Sequence, residues 1–213
     1  GATSPDGYER LLKQMKADAA GGMGDFSVAF FGKPGESGFQ FMMTGRHLTL
    51  RADGVFDDGT SFGGPMVYGH GEETAPKNLF YAQTLRANEV FKALDGKQRE
   101  KALLEKAPRE NDVVLRKEGY PGLPLLDLAK DQKQLVEVVM RDLLSPYRKE
   151  DVHEVMTNLK ANGGLEKLHF AFYKELDLGS DQIWDIWRLE GPGFVWHFRG
   201  APHVHCYVNI AKP

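Results

Sequence analysis

The stretch from Pro202 to Ile210 constrains the fold more than any other, because polar and apolar residues alternate strictly along it. In a β-strand, successive side chains point to opposite faces of the sheet. One face of such a strand carries His203, His205, Tyr207 and Asn209. The other face carries Val204, Cys206, Val208 and Ile210. The pattern therefore predicts a strand with one face in the core and a row of potential ligand groups on the other.

Strand patterns occur near both ends of the chain, and helical patterns lie between them. The predicted strands cover residues 26–32, 39–44, 46–50, 167–175, 183–189, 194–198 and 203–210. The predicted helices cover residues 8–20, 78–94, 96–105, 129–144 and 149–161, and residues 53–76, rich in glycine and aspartate, read as a long loop. We therefore expect an α+β fold whose antiparallel sheet is built from the N- and C-terminal strands. A single domain would span residues 1–213, with a helical insertion at about 78–161 packed on one face of the sheet.

Composition excludes several classes of function. A chain of 213 residues with 41% hydrophobic content can bury a substantial core. A net charge of −3 offers no basic surface for nucleic acid, and no apolar run reaches the ~20 residues of a membrane span. There is no phosphate-binding loop or nucleophile elbow, so phosphoryl transfer and serine hydrolysis have no support. The start at Gly1, without methionine, suggests removal of an export signal and a periplasmic or secreted protein.

The last two strands are close enough in sequence to form a hairpin. A three-residue loop over 200–202 would set His197 opposite His205 on one face. A loop of two or four residues would instead set His197 beside Val204 or on its face. The three-residue loop is favoured because it keeps Trp196 on the apolar face.

Imidazoles on one strand face can bind a single transition metal ion, since nitrogen ligands lie ~2.0–2.1 Å from the metal. The alternation over residues 46–50 directs His47 away from the core side, which carries Leu48 and Leu50. The candidate ligands are His47, His203, His205 and His197. Three imidazoles with one open position would suit zinc, copper or iron. The alternative is that these histidines are ordinary hydrogen-bonded residues with no metal.

Tyr207 shares the histidine face, and it is the candidate catalytic residue as a redox-active phenol or a donor to bound oxygen. A tyrosine at the edge of the core is the alternative interpretation. Cys206 points to the opposite face and is expected to be a small buried apolar residue. His70, between two glycines, is either a lid group or simply solvated.

Five short motifs occur in an order that resembles a bacterial family, the domain-of-unknown-function 3500 family, many of whose members are exported. The motifs are 31–35 (FGKPG), 45–48 (GRHL), 94–99 (LDGKQR), 189–192 (LEGP) and 203–205 (HVH). The resemblance implies a site shared by His47, His203 and His205. Family members typically have Gly-His-His where this chain has Gly-Arg-His at 45–47, and an acid near the position of His197. The family is uncharacterised, so the resemblance implies no reaction.

These observations predict a secreted or periplasmic metalloprotein with one histidine-bound metal ion, copper being favoured over zinc or iron. An oxidoreductase that uses oxygen or peroxide is the most concrete enzymatic form, with a small molecule as substrate. The alternatives are a protein that binds or sequesters copper without catalysis, a zinc-dependent hydrolase, and a ligand-binding domain with no metal.

Overall fold

Helices occupy the start and the middle of the chain, and strands flank them. The structure, a computed structural model, describes residues 5–19, 21–53, 60–62, 67–68, 75–178, 180–201 and 204–213. The helices are α1 (Pro5–Asp18), α2 (Tyr81–Ala93), α3 (Gly96–Ala102), α4 (Lys130–Leu144) and α5 (Lys149–Ala161). The strands are β1 (Ser27–Phe31), β2 (Gln40–Thr44), β3 (Leu48–Asp53), β4 (Thr60–Phe62), β5 (Val67–Tyr68), β6 (Leu103–Leu104), β7 (Leu123–Pro124), β8 (His169–Tyr173), β9 (Ile186–Gly191), β10 (Phe194–Arg199) and β11 (His205–Ala211).

The strands form two sheets. The smaller sheet is antiparallel, with the order β1-β2-β3-β5. The larger sheet has the order β4-β11-β10-β9-β8-β6, with β7 also paired to β8. Its pairs are antiparallel except β6 with β8, which run parallel. The predicted α+β class, with strands from both ends and helices in the middle, is confirmed, and the strands divide between two sheets.

The apolar face of the larger sheet forms the main core. Trp187, Trp196, Phe198 and Cys206 are fully buried there, and the burial of Cys206 is what the alternation along the last strand predicted. Apolar side chains of α2, α4 and α5 pack against them, including Val90, Met140 and Val155. Aromatic rings stack along this face, with the Trp187 and Phe198 rings 5.2 Å apart. This core holds β9, β10 and β11 rigidly, so side chains on the opposite face are held in place from behind.

The opposite face is also covered, although it is polar. Residues 105–122, the covering segment, follow β6 and lie across this face. At one end, Leu104 and Ala107 pack against Tyr173 and Ile186. All residues of β9 and all residues of β10 except Arg199 are therefore buried. Any charged side chain that points to this face must find its partners inside the protein.

The helices within the described ranges include none that is both long and apolar enough to cross a bilayer.

Candidate functional site

His47 lies in the turn between β2 and β3. Gly45 N donates to Leu48 O at 2.8 Å, which closes the turn. A Cβ on Gly45 would lie 2.3 Å from the Phe26 ring, so a larger residue here would require that ring to move. The buried Gln14 side chain, from α1, donates to the His47 carbonyl. His47 is held with only 6% of its surface exposed, one residue before the strand that the alternation predicted to contain it.

The hairpin of β10 and β11 has the predicted faces but a different register. His197 lies opposite Tyr207, and Arg199 lies opposite His205, so the predicted pairing of His197 with His205 was wrong. The connection between the paired residues Arg199 and His205 therefore has five residues, and at its start Gly200 N donates to Asp185 O at 2.7 Å, which continues the pairing of β10 with β9. Side chains alternate between the two faces of a strand, so a loop with five residues leaves each side chain on the same face as a loop with three. His197, His205 and Tyr207 therefore share one face, as predicted.

Glu110, on the covering segment, joins three side chains of this hairpin. Its Oε2 lies 2.7 Å from His205 Nδ1 and accepts from the Tyr207 hydroxyl at 2.9 Å. Its Oε1 accepts from Arg199 Nε at 2.5 Å. Burial favours the neutral carboxyl, but the His205 hydrogen bond, the charges of His205 and Arg199 and the Tyr207 hydrogen bond outweigh it. Together they lower the pKa of Glu110 to about 2, so it is a carboxylate at neutral pH.

His205 Nδ1 has a second neighbour, Arg199 Nη2, at 2.6 Å. One ring nitrogen cannot donate and accept at once, so the two contacts belong to different tautomers. With a proton on Nδ1, His205 donates to Glu110. With the proton on Nε2 instead, Nδ1 accepts from Arg199. The pair of Glu110 and Arg199 therefore controls which nitrogen of His205 carries the proton.

The structure brings His47 to His205, although His47 lies in a turn of the smaller sheet and His205 lies in a strand of the larger one. The two ring centroids are 6.0 Å apart, and the ring planes meet at 48°. The side chain of His205 is 18% exposed, so the ring pair is largely shielded from solvent. Two of the four predicted ligands are thus neighbours.

His197 has a different environment, deeper in the same face. It is 1% exposed, and its Nδ1 accepts from Arg188 Nε at 3.3 Å. Burial, followed by the charge of Arg188, lowers the pKa of His197 to about 3, so its imidazole is neutral. Arg188 also donates to the Asp112 carbonyl at 3.2 Å and to Glu190 at 3.4 Å. His197 thus belongs to a buried network that ties β9 to the covering segment.

Tyr207 links the two groups of residues. Its ring centroid lies 6.0 Å from that of His197, and its hydroxyl donates to Glu110. Burial and then the Glu110 hydrogen bond raise the pKa of Tyr207, so the phenol keeps its proton. A protonated phenol can donate a hydrogen bond but is a poor metal ligand.

The predicted ligand His203 lies outside the described residues, as do His70 and most of the predicted loop over 53–76. Within the described part of the chain, no group of three or more His, Cys, Asp or Glu side chains has the geometry of a metal site. The two neighbouring histidines and the carboxylate behind one of them are what the structure assembles.

The sequence did not point to Glu110. It lies outside every predicted helix and strand, and 95 positions separate it from His205. Arg199 could have been identified from the sequence, because alternation along β10 places it on the same face as His197 and His205. Alternation along β9 likewise places Arg188 on this face, opposite His197. Charged residues on one face of a strand whose other face is apolar, here Arg188 and Glu190 in β9, are the signal that could have identified Arg188.

Fold and site together define an α+β protein in which a carboxylate orients a partly buried histidine, His205, beside a second histidine, His47. A family model described as Protein of unknown function (DUF3500) matches residues 1–209, so the chain belongs to that family. The family resemblance that the five motifs indicated is thereby confirmed. No curated protein and no solved structure matches the chain.

Proposed function

We propose that this chain is a metalloprotein that binds one transition metal ion between His47 and His205. The observation that carries the proposal is the geometry of His205, which has the Glu110 carboxylate at Nδ1 and the His47 ring as a neighbour. Metal-binding histidines commonly donate their second ring N–H to a carboxylate, which fixes the tautomer and raises the basicity of the ligating nitrogen. In this arrangement Nε2 of His205 is the ligating atom.

The spacing of the two rings suits a shared ion. With metal–nitrogen distances of ~2.0–2.1 Å, two imidazoles on one metal have centroids between about 5 and 6.5 Å apart, depending on the angle at the metal. The observed separation of 6.0 Å falls in that range. Further ligands would come from elsewhere, and His203, two residues before His205 in the sequence, is the first to test.

Glu110 and Arg199 give the proposed site a defined protonation. A metal on Nε2 requires the tautomer with the proton on Nδ1, which is the one that donates to Glu110. The carboxylate also offsets the positive charge of Arg199, which lies within 2.6 Å of His205 Nδ1. Removing the Glu110 charge would therefore weaken metal binding without removing a ligand.

Copper is the first choice of metal, because among the divalent first-row transition metals it binds nitrogen ligands most tightly. A periplasmic or secreted location is part of the same proposal. If the protein is an oxidoreductase, Tyr207 would act as a protonated donor held by Glu110, since its pKa is raised. A copper-binding protein without catalysis uses the same two histidines.

The direct test is the metal content of protein purified without chelator, followed by titration with copper and zinc. We expect about one equivalent of copper and a rise in melting temperature on adding the ion, because a ligand that binds only the folded state stabilises it. His47→Gln and His205→Gln should each abolish the rise. Glu110→Gln should weaken binding by roughly 10–100-fold.

His153→Gln is the matched control, because this histidine is exposed on α5. It should bind copper like the wild type. His197→Gln and His203→Gln then report whether the remaining predicted ligands contribute. The proposal fails if the wild type binds no metal, or if a folded His205→Gln variant binds as much as the wild type. Stoichiometric zinc in place of copper would retain the site and change the metal.

A further inference from the structure

The outer edge of the smaller sheet is open. β1 is its terminal strand, and of the described strands only β2 pairs with it. The second row of β1 backbone N–H and C=O groups therefore faces outward. Such an edge is a template for pairing with another strand.

β1 carries none of the usual features that prevent edge pairing. Its sequence, SVAFF, contains no charge and no proline, and its pairing with β2 is regular along the whole strand. Its large side chains are unusually exposed: Val28 is 50% exposed, Phe30 65% and Phe31 53%. Natural proteins commonly protect edges with lysine, proline or bulges. An edge without them indicates that pairing is tolerated or used.

The chain around this strand is complementary to itself. Antiparallel pairing of two copies about Ala29 sets Val28 of each copy opposite Phe30 of the other. Asp25 and Lys33 lie four positions before and after Ala29. Asp25 ends the short 3₁₀ helix before β1, where its carboxylate accepts from Gly21 N at 2.7 Å, and Lys33 lies in the connection after β1. Because antiparallel pairing sets the start of one β1 beside the end of the other, it brings these opposite charges into the same region, twice by symmetry.

We propose that β1 is a homodimer interface, in which two copies join their smaller sheets into one continuous antiparallel sheet across a two-fold axis. The occupant is a second copy, because the apolar residues and the flanking charges match their own symmetry mates. Lys33 is available for this contact, since its ion pair with Glu36 is a surface pair, with 78% of the lysine side chain exposed.

The dimer should dissociate on dilution. Stable interfaces bury about 1,200–2,000 Å² in total, and pairing along a strand of only five residues is a short contact, so we expect weak association. The site formed by His47 and His205 is not part of the interface, so the inference is independent of metal binding.

Sedimentation velocity across a concentration series tests the interface on the whole chain. We expect the mass to rise with concentration from 23.8 kDa towards twice that value. Ala29→Lys sets two like charges opposite each other at the symmetry axis and should weaken the dimer by at least about tenfold. Ser37→Lys adds the same charge in the exposed turn after β1 and should leave the dimer intact.

Charge exchange adds a test specific to two-fold pairing. Asp25→Lys and Lys33→Asp should each weaken the dimer, because each sets like charges together. The double variant, with both charges exchanged, should recover at least part of the affinity. A wild type that stays monomeric up to about 200 µM, a range that covers weak dimers, overturns the proposal. So does a folded Ala29→Lys variant that associates like the wild type.

Discussion

One carboxylate, Glu110, connects the covering segment to three side chains of the C-terminal hairpin. Its oxygens are satisfied by charged or strongly polar donors, which is why it stays ionised although it is only 28% exposed. Whatever binds at His205, this residue fixes how the imidazole is oriented. Its contribution to stability should depend on pH.

We expect Glu110→Gln to lower stability at pH 7 by on the order of 2 kcal/mol, a value reduced for partial exposure. The ordinary pKa of 4.5 falls to about 2 in the folded protein, so the unfolded state binds more protons between these values. The contribution is therefore fully present above about pH 4.5 and is lost as pH falls towards 2. Urea unfolding of both proteins at pH 7, 4 and 3 measures the difference.

Glu118→Gln is the control, because this acid is exposed on the same segment. It should change stability little at any of these pH values. A Glu110→Gln deficit that is as large at pH 3 as at pH 7 would contradict the assignment.

At the scale of the element, the residues that cap the N-terminus of α3 also contact the start of α4. The sequence suggests a helix end near Asp95-Gly96, and Asp95 is in fact the residue that begins the next helix, α3. Its carboxylate accepts from Gln98 N at 2.8 Å, and the Gln98 side chain accepts from Asp95 N at 3.0 Å. Gln98 also donates to Gln132 at the start of α4, at 3.1 Å. The cap therefore links two helices.

Asp95→Ala should destabilise the protein by about 1 kcal/mol, the usual cost of removing an N-terminal capping side chain. Thermal unfolding measures the change. Asp95→Asn keeps an oxygen acceptor and should cost clearly less. Equal losses for the two variants would show that the charge of Asp95, and not its hydrogen bond, stabilises α3.

At the scale of the whole molecule, the site on the polar face requires the covering segment, because this segment supplies Glu110. The segment returns to the larger sheet at Gly122, which has φ of +90°. A Cβ there would lie 2.4 Å from the carbonyl oxygen of Phe170, in β8. This close approach allows residues 105–122 to lie against the sheet and deliver Glu110 to the hairpin.

Gly122→Ala should therefore destabilise the protein by more than about 2 kcal/mol, because a methyl group would clash with main chain that cannot move aside. Gly119→Ala is the matched control, since Gly119 also has positive φ, of +75°, but has open space around its Cβ position. It should cost only about 1–2 kcal/mol of backbone strain. Chemical unfolding compares the two, and equal costs would mean that the contact with Phe170 is unimportant.

The sequence by itself determined what depends on local periodicity. Alternation along β11 set Cys206 in the core and put His205 and Tyr207 on the opposite face. Helical spacing located α2, α4 and α5, and the order of these segments was enough for the α+β class. These properties depend on the spacing of side chains a few positions apart, so a short stretch of sequence is enough to predict them.

Only the tertiary structure decided what meets across long distances. The register of the last hairpin, with Arg199 opposite His205, is one such property, and the pairing of β4 with β11, which places β4 in the larger sheet, is another. Glu110 reaches His205 because the covering segment packs on the sheet. Such pairings are set by close packing between distant parts of the chain, and no local period encodes them.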